Sequence, residues 1–310
     1  NKNSIINKFK SLGADYIENS ISNYSTSYAS IQSVLNLNYV VTEKSKKYFT
    51  YSNFFPNTLI NKYEELPITQ YNKYVNRNFY WTGNQYRYCK SNSFEKNMCG
   101  GMESIFIHIF NSLEVFYKEN LIDFLIRRIT SKFIDKKNLQ STFEILNDDK
   151  LSFFKNINFN EKNFFFMHLL KPHPPYNVNK NCDKIEYVPI SLGYENNYKC
   201  VLKLIEKFLI NINNMSKKEK IIVFIGDHGS PLDKFKREIN VNKNEILLDY
   251  KIDRSKIFNL IYSPSKCHEE MDYAKSLINT IRFSMNCANN YNLEYLDNYY
   301  FFTYYEDHDK

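Results

Sequence analysis

The sequence predicts an α/β fold with a mostly parallel central sheet and helices on both faces. Three observations carry that expectation. Two fully apolar runs, KNFFFMHLL (162–170) and KIIVFIGDHG (220–229), are bounded by polar residues, the mark of strands buried on both faces. Between them YENNYKCVLKLIEKFLININ (194–213) repeats its apolar residues at helical spacing. A third apolar run, Phe258 to Tyr262, follows, so buried strand, helix and buried strand alternate. At 310 residues the chain suits one large α/β domain, expected to span 1–310.

In chain order, SIINKFKSLGADYIENSISNYS reads as a helix, then Gly13, then a short strand. STSYASIQSVLNL opens with hydroxyl residues, which cap helix N-termini, and continues with Ile31, Val34 and Leu35 on one helical face. A helix is expected from Phe55 to Glu65, and a strand over 77–84 that ends at Gly83. Over 102–150, Ile105, Phe106, Ile109, Leu113, Phe116 and Tyr117 recur at three- and four-residue steps. That stretch is expected to be a helical insertion or cap on the domain.

Composition removes several function classes. Hydrophobic residues at 43% and charged residues at 24% exclude a disordered chain. No run approaches the eighteen apolar residues of a membrane-spanning helix. The net charge of +7 comes from scattered lysines with no basic run, so no nucleic-acid partner is expected. The abundance of Asn, Lys, Tyr and Phe follows AT-rich codon bias. Six cysteines at 89, 99, 182, 200, 267 and 287 form no CxxC pair. They are compatible with three disulfides in an oxidising compartment or with buried thiols, and six allow fifteen pairings.

Ligands of such sheets bind at the carboxyl ends of the strands. After the 220–225 run comes Gly226-Asp227-His228-Gly229, and after 164–167 come His168 and the proline-stiffened Lys171-Pro172-His173-Pro174-Pro175-Tyr176. Asp227 and His228 offer a carboxylate oxygen and an imidazole nitrogen to one cation. The bracketing glycines are expected to supply a tight, positive-φ turn that directs both inward. A polar turn with Asp227 capping the next helix is the alternative. His173, in its stiff loop, suits orientation of a substrate group. His168 suits a hydrogen-bonded strand end. For the nucleophile, Tyr24 to Ser30 sits at a helix start, where unpaired N–H groups attract an anionic oxygen.

Taken together, these segments resemble the alkaline phosphatase superfamily, in its sulfatase, lipoteichoic acid synthase and phosphoethanolamine transferase branch. The GDHG turn, the His-x4-His-Pro-Pro-Tyr stretch of 168–176, the hydroxyl-led helix at 24–36 and their order along the chain carry the resemblance. It implies Ser27 as nucleophile, from the Ser27-Tyr28-Ala29-Ser30 spacing, with Thr26 in reserve. It also implies Asp227 and His228 as ligands of one divalent ion (zinc, manganese, magnesium or calcium), and His173, with His168, on the transferred group. The absence of Pro and Arg after Ser27 argues against formylglycine chemistry. The resemblance lacks the family's acidic ligand at the end of the first strand, for which Asp15 is a poor substitute because no apolar strand precedes it. The natural protein is therefore expected to extend before Asn1, with that strand and membrane-spanning helices. These would place the domain on the extracytoplasmic side of a membrane.

The function so implied is metal-dependent hydrolysis or transfer of a phosphate or sulfate ester through a covalent seryl intermediate, on a cell-envelope lipid or glycan. The alternative is a non-catalytic member of the fold that binds a glycan or lipid head group.

Overall fold

The computed structural model describes residues 2–40, 66–82, 161–168, 171–173, 176–185, 189–215, 219–230, 248–289 and 292–302. The expected Phe55–Glu65 helix, the 102–150 cap and the first two cysteines lie outside these residues, as does Gly83.

The chain opens with helix α1 (Lys2–Ser11) and strand β1 (Ala14–Tyr16). Lys8 and Lys10 occupy the last turn of α1, where cations oppose the carbonyl end of the helix. Gly13 lies between the two elements at φ 84°, a left-handed conformation that glycine adopts without steric cost. Helix α2 (Ser27–Asn36) follows, then α3 (Pro67–Tyr74), with proline at its first position where no N–H is needed. Strands β2 (Asn78–Thr82) and β3 (Asn163–Met167) precede the long helix α4 (Ile190–Met215). Then come β4 (Ile222–Ile225), α5 (Leu248–Ser255) and β5 (Asn259–Tyr262). A 3-10 helix (Ser265–Tyr273) and α6 (Leu277–Asn289) complete the described elements.

Alternation along each strand sends side chains to both faces. From β4, Ile222 and Phe224 meet Leu204 and Phe208 of α4, whereas Val223 packs in the cluster of Ile261, Phe283 and Cys287 on the α6 side. From β3, Phe165 and Met167 join the α4 cluster, while Phe164 and Phe166 join Phe79, Leu35, Leu277 and Ile281. Helices therefore cover both faces of the strands, as expected of a mixed α/β fold.

The expected parallel sheet is met in only one described pair. Strands β2 and β3 run parallel, with Phe79 opposite Phe164 and their rings stacked at 5.5 Å. The other described sheet has the order β1-β5-β4, and both of its pairings are antiparallel. The cause is where α5 ends. Gly229 N–H donates to the Arg254 carbonyl at 2.8 Å, and Gly226 N–H to that of Phe258 at 2.9 Å. The chain thus enters β5 beside the end of β4 and must run back along it. An apolar run encodes burial on both faces, not strand direction. The short strand expected after Gly13 is β1, at the edge of this sheet; Asp15 lies within it, opposite Ile261, and not at the end of an apolar strand.

Among the described residues, two disulfides join Cys182 to Cys200 and Cys267 to Cys287. The first ties the segment after β3 to α4, the second the 3-10 helix to α6. Such bonds persist in oxidising compartments outside the cytosol. Among the described residues no helix is long and apolar enough to cross a membrane.

Candidate functional site

The hydroxyl-led helix starts where the sequence places it. Thr26 is the N-cap, with extended backbone and no side-chain capping bond, and it is 3% exposed. Ser27 is the first helical residue and is partly exposed. Its Oγ lies 3.0 Å from Nε2 of His228, across 201 residues of sequence. The segment before it is fixed from below. Ser22 N–H donates to the Ser255 carbonyl at 2.7 Å, and Ser22 Oγ donates to the Asp227 carbonyl at 2.5 Å.

The Asp227-His228 turn leaves the end of β4. His228 N–H donates to Asp227 Oδ1 at 2.9 Å, and Asp227 Oδ2 lies 3.6 Å from His228 Nε2. The side chains keep 29% and 13% exposure, so both are reachable from solvent. Burial alone would raise the Asp227 carboxyl, but the His228 and His168 charges and a Ser27 hydrogen bond outweigh it and hold it at about 2. Asp227 is therefore a carboxylate at neutral pH. Burial lowers His228, an effect Asp227 opposes and Arg254 reinforces, so its imidazole is favoured neutral. His228 Nδ1 lies 2.9 Å from the Gly229 carbonyl. Only a protonated Nδ1 can bond that oxygen, which leaves Nε2 with a bare lone pair facing Ser27.

Gly226 and Gly229 do not serve as expected, because neither has positive φ. Gly229 answers to close approach instead. A Cβ there would lie 1.8 Å from the Asp253 carbonyl oxygen. At Gly226 the nearest atom would be 3.5 Å away, an ordinary contact.

His168 follows β3 and is partly buried; burial lowers it, Asp227 opposes this, and the His228 and His173 charges add to the lowering. His173 is exposed, and its charge also acts on His228. Ser27, Asp227, His228, His168 and His173 thus bear on one locus at the carboxyl ends of β3 and β4. Asp15 is instead paired within the edge strand β1, opposite Ile261, and Thr26 is buried as the N-cap of α2.

Sequence reasoning missed Arg254. It lies at the end of α5, is 6% exposed, and donates from Nη1 to the Gly229 carbonyl at 2.9 Å and from Nη2 to the Ser25 carbonyl. Nothing local marks it, because its acceptors are main-chain groups 25 and 229 residues away.

A divalent ion is the group the resemblance implies. Ligands about 2.0–2.1 Å from one tetrahedral ion stand roughly 3.3 Å apart. The Ser27–His228 and Asp227–His228 separations of 3.0 and 3.6 Å bracket that value. Bare Nε2, the carboxylate and the hydroxyl oxygen also face one another with one proton among them, an excess of acceptors that a cation fills. The donor set fits one ion with open positions. Among the described residues, no cluster of three or more His, Cys, Asp or Glu is arranged to hold a metal.

No family model matches the chain. No curated protein matches it either. Among solved structures it is similar to the C-terminal periplasmic domain of EcEptC from Escherichia coli in complex with Zn, at 14% identity and a TM-score of 0.45, over 92% of this chain and 75% of that one. A second structure of the same domain gives 15% identity, a TM-score of 0.43 and the same coverage.

Proposed function

We propose that the chain cleaves or transfers a phosphate or sulfate ester, with Ser27 as the nucleophile and a divalent ion held by Asp227 and His228. The observation that carries the proposal is the 3.0 Å contact between Ser27 Oγ and His228 Nε2, which joins a helix N-terminus to a charged turn at a strand end. When bound, the ion would supply positive charge to the non-bridging oxygens and favour the Ser27 alkoxide. The residues of the chain do the rest. Ser27 Oγ forms a bond to phosphorus or sulfur as the bond to the ester oxygen breaks; the hydroxyl proton passes from Oγ to solvent, and the ester oxygen departs as the alcohol after taking a proton from water. Water or an acceptor alcohol then releases the group from Ser27. The N–H groups of the first turn of α2 point toward the anion. His173 and His168 orient the transferred group. An envelope lipid head group or glycan as substrate, a membrane partner through a segment outside this chain, and an extracytoplasmic location belong to the same proposal. The disulfides support the last of these.

A specific observation favours a second reading. The bare Nε2 facing Ser27 also suits an ion-free pair in which His228 takes the hydroxyl proton. Turnover of aryl phosphate and aryl sulfate esters separates the readings. Ser27→Ala is expected to abolish turnover in either case. Removal of metal by EDTA abolishes it only in the first, in which Asp227→Asn also lowers the metal recovered with the protein. Turnover that survives Ser27→Ala overturns both.

A further inference from the structure

We propose that Arg254 is a positioning residue that sets the separation of Ser27 and His228 by clamping the two backbone segments that carry them. The inference deepens the reading of Ser27 as nucleophile, and only its kinetic test rests on that reading. One nitrogen of the buried guanidinium holds the Ser25 carbonyl, two residues before Ser27, and the other the Gly229 carbonyl, one residue after His228. The planar fork fixes the spacing of both acceptors at once, which a flexible amine cannot do. The Gly229 carbonyl is also the acceptor of His228 Nδ1, so Arg254 orients the group that selects the imidazole tautomer.

The main chain of the same helix end supports the clamp. The Arg254 carbonyl accepts from Gly229 N–H at 2.8 Å, and that of Ser255 from Ser22 N–H at 2.7 Å. The approach is so close that position 229 has no space for a Cβ beside the Asp253 carbonyl. The end of α5 is thus wedged between the nucleophile segment and the Asp-His turn. Of the groups in this wedge, the Arg254 side chain is the one that reaches a carbonyl on each.

The test uses the full chain with ring-15N-labelled histidine in EDTA, so that no ion holds Nε2. The His228 signals are identified by their loss in His228→Asn. Wild type is expected to show His228 protonated at Nδ1 alone. Arg254→Met and Arg254→Lys are each expected to show a mixture of tautomers, lysine because one amine cannot span both carbonyls. With metal restored, both variants are expected to lose about 10²-fold in kcat with KM little changed, the scale of a 1 Å misplacement. Millimolar guanidinium is expected to recover part of that loss in Arg254→Ala. If circular dichroism shows Arg254→Met unfolded, Arg254→Lys decides. A single Nδ1-protonated tautomer in the folded variant overturns the clamp, as does wild-type kcat in a Ser27-dependent reaction. If wild type shows no Ser27-dependent turnover, the proposed function falls, and the tautomer alone still decides the role of Arg254.

Discussion

At Gly229 an added methyl carbon would sit 1.8 Å from the Asp253 carbonyl oxygen and 2.7 Å from that of Lys256, both rigid main-chain atoms. Gly229→Ala must push α5 away from the Asp-His turn. It is expected to cost about 1–3 kcal/mol, as overpacking does, and to lengthen the Ser27–His228 contact. Gly226→Ala meets its nearest atom at 3.5 Å. It is expected to stay within about 0.5 kcal/mol of wild type, like a substitution away from such features. Urea midpoints of the two variants check the contrast, and equal midpoints would refute the steric reading. Both glycines stand out in a chain with seven, yet the dihedral reason predicted for them does not hold. The true constraint at Gly229 comes from a helix end 24 to 27 residues later, which local pattern cannot register. The choice of Ser27 over Thr26 rests on the spacing the resemblance implies. What separates the two in the fold is that Thr26 turns into the core while Ser27 stays partly exposed.

Helix α6 holds the segment after it through asparagines two turns apart on one face. Asn279 donates to the Leu296 carbonyl at 2.7 Å and accepts from Leu296 N–H at 2.9 Å. Asn286 does the same with Leu293, at 3.0 and 2.8 Å. Each side-chain amide thus pairs with a main-chain segment as a neighbouring strand would. Further on, Phe301 N–H donates to the Asn23 carbonyl at 2.9 Å, and the Phe301 ring stacks on Tyr24 at 5.5 Å. The strap therefore ends against the segment that leads into Ser27. Asn279→Ala leaves the Leu296 N–H and carbonyl unmatched beside a buried site. It is expected to destabilise the fold by about 1–3 kcal/mol. Hydrogen exchange at the Leu296 amide should accelerate well beyond that at Leu260, and unchanged exchange at Leu296 would count against the asparagine anchor. The sequence marks α6 poorly as a polar anchor, because abundant asparagine reads as codon bias until burial shows which ones are used. Asn23, Asn279 and Asn286 are all at most 5% exposed.

Across the whole molecule, the two described disulfides sit on opposite faces of the β1-β5-β4 sheet, one in the α4 cluster and one in the α6 cluster. Each closes a loop of 18 or 20 residues. Loops of that size correspond to about 3 kcal/mol per bond in the chain-entropy account. The paired variant Cys267→Ser with Cys287→Ser is expected to lower the unfolding free energy by about 2–4 kcal/mol. Dithiothreitol is expected to lower the melting temperature of wild type more than that of the variant, and equal shifts would show that this bond does not brace the fold. Where apolar runs become strands, that helices line both faces, and which residues stand at the strand ends can all be read from the order of residues along the chain. They can because burial writes its periodicity locally, as in Phe164 to Met167 and in α4. That β5 runs against β4, which cysteines pair, and that Ser27 meets His228 emerge from the packed fold. The first and last of these depend on where α5 docks and on contacts such as Arg254 to Ser25, between residues 229 positions apart, and the cysteine pairing on how α4 and α6 pack, for none of which the chain carries a local pattern.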